Sequence, residues 1–302
     1  MARRFLILCC LSGLLGASTA EAAGEIPGRF LLADGRATIE LFDPASGARR
    51  LVATHGSEPA FLPSGMGFAY IREGGCYRTP HVCYQQYSLF EKSFREHDAR
   101  RSGRRLFPWT RFFVRALDVA PNGRLVFSAE HADGKGLEIY SCAPDGSHLR
   151  RLTRNRTFDN DPKVAPDGSE IVFARKVHGR GQLFRMRIDG SHVRRVTVDG
   201  RRDRSPAWSP GGRRLVFTSQ PAGAEGFRRR EVYTVSSAGG REHRLTFDRT
   251  AENRPTYAPD GRTIAFLRLS SLWLMRSDGS KPRQILAPLR PPGFELGIDW
   301  AR

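Results

Sequence analysis

The stretch that decides the fold spans residues 205–218 and reads SPAWSPGGRRLVFT. Two further stretches repeat it in register, because residues 161–174 read DPKVAPDGSEIVFA and residues 254–267 read RPTYAPDGRTIAFL. The second proline of each stretch fixes φ and the following glycine accepts a positive φ, so this step makes a tight turn. Apolar residues alternate with polar ones around the turn, which is the period of β-strands. Each stretch therefore predicts a β-hairpin.

Weaker copies extend the series along the chain. Residues 59–70 carry the turn Pro63-Ser64-Gly65, and residues 117–127 carry Pro121-Asn122-Gly123. The second prolines stand at 63, 121, 166, 210 and 259, so successive copies are 58, 45, 44 and 49 residues apart. After each copy come an alternating strand, a glycine turn and a short basic-apolar strand. The whole unit predicts a four-stranded antiparallel meander of about 45 residues, which buries its faces only by stacking on neighbouring units around an axis.

The repeated pattern x-P-x-W-S-P-D-G-x-x-I-x-F resembles the PD40, or WD40-like, repeat of the TolB family of periplasmic proteins. The resemblance covers about residues 28–302. It implies a β-propeller, a ring of four-stranded sheets called blades. TolB itself carries an α/β domain ahead of its propeller, and this chain has no room for one. We therefore expect a stand-alone propeller of the TolB type.

Counting the units predicts how the ring closes. Five complete units begin at Pro59, Leu117, Pro162, Pro206 and Pro255. Residues 29–52 supply only the last three strands of a unit, and residues 297–301 match a first strand, with Trp300 in the place of Trp208. Joined, the two ends make a sixth blade; the alternative is an unrelated C-terminal tail. We thus expect an all-β, six-bladed propeller over residues 23–302, with an insertion at about 72–115.

The N-terminal segment has the features of a cleaved signal peptide. Arg3-Arg4 precede an apolar run over residues 5–15, and Ala20-Glu21-Ala22 forms an A-x-A cleavage site. We expect cleavage after Ala22, or else after Ala20, and a periplasmic or secreted mature protein. The alternative is a buried N-terminal helix. The apolar run is too short for a permanent membrane span, and no other stretch is long enough.

Three cysteines remain after cleavage. Cys76 and Cys83 lie seven residues apart in a segment that we expect to be irregular, and an oxidising compartment permits a disulfide between them. We expect Cys142 to be a buried thiol on a strand. The spacing matches no zinc-binding pattern.

The charge of the chain is strongly positive. The formal net charge is +18, and all but five of the 49 basic residues are arginine. Such a balance favours acidic partners. The arginines are spread along the chain, however, which is also typical of an ordinary soluble surface and makes nucleic acid an unlikely partner. Arginine pairs on the outermost strands would also protect exposed sheet edges.

A recurring acid gives the candidate site. It stands three residues before the first proline, or its equivalent, in four of the units. In TolB-like propellers this segment leads into the innermost strand near one mouth of the central channel, so the acids would gather there and bind a cation such as Ca²⁺ or a basic segment of a partner. The alternative is local hydrogen bonding within turns or between blades. The four acids are Asp159, Asp203, Glu252 and Glu295.

The preferred function is that of an exported scaffold that binds a protein or peptide partner in the periplasm or cell envelope. The sequence contains no G-x-S-x-G, H-E-x-x-H or Walker A motif. We expect a monomer without a required cofactor. Two alternatives remain open: a propeller lyase or hydrolase that uses a channel-bound cation, and binding of anionic glycan or nucleic acid through the arginine-rich surface.

Overall fold

The structure is a computed structural model that describes residues 28–33, 38–78, 83–106, 113–130, 136–155, 157–220, 229–248, 250–287 and 297–301. The predicted signal peptide, residues 1–22, lies outside these ranges. The described residues form 24 strands arranged in six four-stranded antiparallel sheets. Over the same ranges there is no helix long and apolar enough to cross a membrane. The six sheets make the fold all-β, as predicted.

Each sheet is one blade, and we number the blades in chain order. Blade 1 contains β1 (Arg29–Ala33), β2 (Thr38–Phe42), β3 (Arg49–Thr54) and, as its innermost strand, β24 (Gly297–Ala301). Blade 2 contains β4 (Gly56–Phe61), β5 (Gly67–Arg78), β6 (Cys83–Ser93) and β7 (Arg104–Arg105). Blade 3 contains β8 (Phe113–Val119), β9 (Leu125–Glu130), β10 (Leu137–Cys142) and β11 (Arg150–Arg151).

The other three blades follow most closely the repeat that the sequence shows. Blade 4 contains β12 (Asp159–Val164), β13 (Glu170–Val177), β14 (Arg180–Arg187) and β15 (Arg194–Arg195). Blade 5 contains β16 (Arg202–Trp208), β17 (Arg214–Gln220), β18 (Glu231–Ser236) and β19 (His243–Arg244). Blade 6 contains β20 (Glu252–Tyr257), β21 (Thr263–Arg268), β22 (Ser271–Arg276) and β23 (Arg283–Leu286).

The turn between the first two strands of a blade forms as the sequence predicts. In blade 4 the Gly168 N–H donates to the Ala165 carbonyl at 2.8 Å, and Gly168 has a φ of 75°. The left-handed conformation strains residues that have a Cβ, which explains the glycine. The next strand carries the aromatic residue of the pattern, and its ring is buried in five blades. These residues are Tyr70, Phe127, Phe173, Phe217 and Phe266.

The core lies between the blades rather than within any one of them. The buried apolar residues form six clusters, and each cluster combines side chains from two neighbouring blades. Each innermost strand also contacts the innermost strands of both adjacent blades. The sheets therefore form a closed ring, because every sheet face finds its apolar partner on a neighbour.

The two ends of the described chain meet in blade 1. β24 pairs with β1 in antiparallel register, and Trp300 lies opposite Phe30. Trp300 is 7% exposed and belongs to the cluster that joins blade 6 to blade 1. The Phe61 N–H of blade 2 donates to Asp299 Oδ2 at 2.8 Å. The predicted pairing of the C-terminal strand with the N-terminal strands is thus present.

The predicted insertion is more regular than the sequence indicates. Much of it extends the hairpin of β5 and β6, which places the backbones of Cys76 and Cys83 on paired strands instead of in an irregular segment. Their side chains lie outside the described part of the structure, so the disulfide stays a prediction. The Lys92 ammonium holds the following loop by donating to the carbonyls of Asp98 and Arg101 at 2.7 and 2.6 Å. Cys142 is a buried free thiol on β10, as predicted.

Candidate binding cleft at the channel mouth

The innermost strands of four blades bend at one residue. That residue precedes a proline and adopts a left-handed φ near 50° although it carries a side chain. Proline has no N–H for the ladder, and the strand register shifts at this point, so the bend is a β-bulge. The bends re-aim side chains near the ring axis. The four residues are Glu58, Asp161, Ser205 and Arg254.

The channel contains ionic groups that pair with one another. Lys163 Nζ donates to Asp118 Oδ1 at 2.8 Å, and Asp118 Oδ2 accepts the Val164 N–H at 2.8 Å. With Asp299 these side chains line a cavity of about 160 Å³ among the innermost strands. Burial lowers the pKa of Lys163, but Asp118 and Asp299 outweigh it and raise that pKa to about 12. The channel carboxylates therefore already surround a cation, the Lys163 ammonium.

A second ion pair spans blade 1. Arg254 Nη1 and Nη2 on blade 6 donate to the two carboxylate oxygens of Glu58 on blade 2 at 2.9 and 2.6 Å. The bidentate geometry is the strong form of an arginine–carboxylate contact. It links the two blades that flank the pairing of the chain ends.

A larger cleft opens where the innermost strands of blades 4, 5 and 6 begin. Its volume is about 370 Å³. Two acidic residues, Asp161 and Asp203, line it together with seven basic ones. The basic residues are Arg115, Arg175, Lys176, Arg202, Arg204, Arg230 and Arg254. We call this cavity the basic cleft.

Four of these basic residues lack a carboxylate partner within the described ranges. Arg202 and Arg204 are exposed on β16. The Arg115 guanidinium lies over the Phe113 ring at 4.5 Å, and the Lys176 ammonium lies over the Phe158 ring at 5.2 Å. Arg175 and Arg254, by contrast, are held in ion pairs. The cleft therefore has a positive potential that the surrounding residues do not cancel.

Three of the four acids predicted from sequence lie within the blades at this end of the ring. Asp159, Asp203 and Glu252 have no exposed surface. Arg175 donates two hydrogen bonds of 2.8 Å to Asp159, and Arg268 donates bonds of 3.1 and 2.6 Å to Glu252. These contacts are local and lie within one blade. Glu295 lies outside the described residues, and a binding role for the four acids stays a prediction.

Sequence reasoning missed the residues that line the mouth. Arg202 and Arg204 flank the buried Asp203 on one strand. Neighbouring residues of a strand point to opposite sides, so a buried acid predicts exposed neighbours. The signal was present in the sequence as Arg-Asp-Arg.

Comparison with known proteins agrees with this fold. Residues 111–288, more than half of the chain, match the family described as the TolB beta propeller domain, PD40. TolB of Acinetobacter baumannii superimposes with a TM-score of 0.71 at 20% identity, over 92% of this chain and 67% of that one. A putative TolB of Agrobacterium tumefaciens gives a TM-score of 0.66 at 17% identity, over 91% of this chain and 99% of that one.

A shorter match links the sequence directly to a curated relative. The protein TolB homolog of Chlorobium luteolum is 46% identical over 43 residues, which is 14% of this chain and 10% of that protein. The chain thus covers only about a tenth of that relative. The structural matches show the fold alone, whereas the family match spans the greater part of the repeats. The chain belongs to the TolB β-propeller domain family.

Proposed function

We propose that this protein is an exported propeller scaffold in the periplasm or cell envelope, where it binds a protein or peptide partner at the basic cleft. One observation carries the proposal: four cationic side chains without carboxylate partners in the described residues surround a cavity of about 370 Å³. The cleft is lined by residues on strands of the closed ring, so its shape should not depend on binding of the partner. Membership of the TolB propeller family supports an envelope location.

The chemistry of the cleft selects an acidic segment of the partner. Guanidinium groups pair with carboxylates in a planar, two-bond geometry. The cavity volume lies in the range of pockets that enclose small ligands, about 300–1,000 Å³, so it accommodates a short run of residues rather than a folded domain. Exposed charges mainly govern association rate and salt dependence. We expect binding that weakens steeply as ionic strength rises.

The rival proposal of an enzyme with a channel-bound cation is less well supported. Such a cation would compete with the Lys163 ammonium, which already contacts Asp118. An anionic glycan or a nucleic acid would bind to the same positive surface. The experiment distinguishes these ligands from a peptide by comparing probes of different shape and substitutions inside and outside the cleft.

The test uses the mature chain, residues 23–302, and a fluorescein-labelled peptide of glutamate residues as the probe. We expect the Arg202→Glu/Arg204→Glu variant to bind at least tenfold more weakly by fluorescence anisotropy. The matched control is Arg150→Glu/Arg194→Glu, which changes the net charge equally on two exposed outer strands. Equal loss in both variants would show general attraction to a basic surface and would overturn the cleft proposal. Tighter binding of a sulfated glycan than of the peptide would favour the glycan alternative.

A further inference from the structure

Blade 5 contains a group of three acidic side chains, of which only Asp203 also lines the basic cleft. Asp199 lies in the loop between β15 and β16, Asp203 lies on β16, and Glu242 immediately precedes β19. One carboxylate oxygen of each residue lies within 4.8 Å of the others. We call these residues the acid cluster.

Blades 4, 5 and 6 carry equivalent residues here, which allows an internal comparison. In each of these blades a polar residue lies in the loop that leads into the innermost strand. A buried acid follows four residues later on that strand. A third residue, sixteen positions after the acid, lies opposite it on the second strand. The three sets are Asn155, Asp159 and Arg175; Asp199, Asp203 and Ser219; and Asp248, Glu252 and Arg268.

In blades 4 and 6 the third residue is an arginine that contacts the buried acid. Arg175 pairs with Asp159, whose second neighbour is the uncharged Asn155. Arg268 contacts both Glu252 and Asp248. One arginine thus serves one carboxylate in blade 4 and two in blade 6.

Blade 5 departs from this arrangement because Ser219 replaces the arginine. The Ser219 hydroxyl donates to Asp203 Oδ1 at 2.6 Å. Asp203 has no exposed surface, and its Oδ2 accepts no hydrogen bond of good geometry from the described residues, although the Thr197 hydroxyl lies near enough to lower the pKa of the carboxyl. A buried carboxylate oxygen without a donor is costly. Burial accordingly raises the pKa of Asp203 to about 6.

Within the described part of the chain, one guanidinium, that of Arg201, contacts two of the three acids. Arg201 lies over the Tyr233 ring at 4.4 Å, and its Nη2 contacts Asp199 and Glu242, the latter at 2.5 Å. Three carboxylates face one guanidinium, so with all three ionised two negative charges would have no partner among the described side chains; burial and the hydrogen bond with Asp199 accordingly raise the pKa of Glu242 to about 8. On a chain whose formal charge is +18, this acid cluster is an exception to the surrounding surface.

We propose that the acid cluster binds a divalent cation of the Ca²⁺ type. The missing charge equals that of one such ion. Ca²⁺ takes oxygen ligands at about 2.3–2.6 Å, so oxygens on opposite sides of the ion lie up to about 5 Å apart, which accommodates the observed spacing. Asp203 Oδ2 supplies the buried ligand. Asp199, whose side chain is 28% exposed, gives the ion access from solvent, and water completes its shell.

The proposal does not depend on the ligand of the basic cleft. It requires only that the cation replace or join the contacts of Arg201 with Asp199 and Glu242. Mg²⁺ prefers shorter bonds of about 2.0–2.1 Å and strict octahedral geometry, so it should bind more weakly at this set of side chains.

The experiment is a calorimetric titration of the chelator-treated mature protein with CaCl₂. We expect one Ca²⁺ per chain and at least tenfold weaker binding in Asp199→Asn. The matched control is Asp248→Asn, the same change at the equivalent position of blade 6, which should leave the affinity within twofold of wild type. Ser219→Arg restores the arginine of the neighbouring blades and should abolish binding.

Several results would overturn the proposal. They are absence of Ca²⁺ binding at millimolar concentration, equal weakening by Asp199→Asn and Asp248→Asn, or unchanged binding in a folded Ser219→Arg variant. Asp199 is partly exposed, so its variant keeps the test usable if Ser219→Arg does not fold. Terbium luminescence gives a second readout, because Tyr233 lies beside Arg201 and can sensitise an ion bound there. The sensitised signal should disappear in Tyr233→Phe/Asp199→Asn and persist in Asp248→Asn.

Discussion

Trp300 and Phe30 lie directly opposite each other on the paired strands β24 and β1, with their ring centroids 4.4 Å apart. The two residues are 270 positions apart in the chain, so their contact joins its first and last described strands. Both rings belong to the cluster between blades 6 and 1. The stability of the whole ring therefore depends on this pairing of β24 with β1, which we call the seam.

Truncation of Trp300 to alanine should lower the free energy of unfolding by about 3–5 kcal/mol, the usual cost of removing a large buried aromatic side chain. Urea denaturation measures it. Phe247→Ala provides a control, because Phe247 is 68% exposed and its loss should change stability little. Deletion of residues 295–302 removes β24 and should destabilise the protein more strongly. An unchanged melting temperature for the deletion would mean that the seam contributes nothing.

Much of this fold could be predicted from the repeats alone. The turn glycine at position 168 and the buried Phe173, Phe217 and Phe266 follow from local turn chemistry and strand period. The matching of Trp300 with Trp208 predicted the sixth blade. These features are local, or they repeat, and so a single sequence reveals them.

The candidate site was harder to predict because it depends on register. The acid and its arginine, such as Asp159 and Arg175, are sixteen residues apart and meet only when the two strands pair in one register. The sequence therefore offered local hydrogen bonding of the acids as an alternative, but it did not indicate that arginines of the same blades pair with Asp159 and Glu252. The basic cleft likewise combines residues from several blades, whose angular positions no local pattern specifies.

Export is a direct prediction from the first 22 residues. The mature protein should begin at Ala23 and accumulate outside the cytoplasm, because the A-x-A site lies immediately before it. N-terminal sequencing of protein from the periplasmic fraction checks this. A leader variant, Leu11→Arg/Leu14→Arg, should retain the precursor by interrupting the apolar run. Retention of Met1 on the wild-type protein in the cytoplasmic fraction would contradict the prediction.

The thiols should differ in reactivity. Burial raises the pKa of Cys142 to about 12, so the reactive thiolate is scarce at pH 8. Iodoacetamide should leave Cys142 unmodified in native protein and label it in guanidinium. With Cys76 and Cys83 linked, unfolding alone should expose one alkylation site and prior reduction should expose three. Three sites without reduction would refute the disulfide.

The stability of blade 6 should depend on pH through Glu252. Burial raises the pKa of Glu252 to about 7, against the lowering effect of hydrogen bonds from Thr246 and Arg268. A carboxyl whose pKa is higher in the folded than in the unfolded state favours folding at low pH, and this contribution is lost as pH rises from about 4.5 through 7.

Removal of the titrating group tests the sign of that dependence. Between pH 4.5 and 7.5, the unfolding free energy of the wild type should fall by about 2–3 kcal/mol more than that of Glu252→Gln. The figure follows from the pKa difference between the folded and unfolded states, at about 1.4 kcal/mol for each pKa unit. Urea unfolding curves across this range give the difference. Asp278→Asn, at an exposed turn whose hydrogen bonds with Ser280 lower the aspartate pKa, should not share this loss. A constant difference between wild type and Glu252→Gln would show that Glu252 keeps one ionisation state throughout.

Lys163 should stabilise the channel by neutralising the carboxylates that it faces. Its ammonium lies 2.8 Å from Asp118 Oδ1, and Asp299 also raises its pKa. Replacement by methionine keeps most of the side-chain length but leaves both carboxylates without that cation. Breaking a buried ion pair from one side costs about 3–5 kcal/mol, and the partial exposure of Lys163 and Asp118 reduces the expected loss to about 2–4 kcal/mol. Urea denaturation measures it, and Lys163→Met/Asp118→Asn should recover part of the loss because one carboxylate has been neutralised. An unchanged unfolding free energy for Lys163→Met would show that the channel carboxylates do not need this partner.

A second measurement asks whether the channel carboxylates bind a metal once the ammonium is gone. It uses Lys163→Met in an Asp199→Asn background, where the acid cluster no longer contributes. Added Ca²⁺ should then raise the unfolding free energy of the variant.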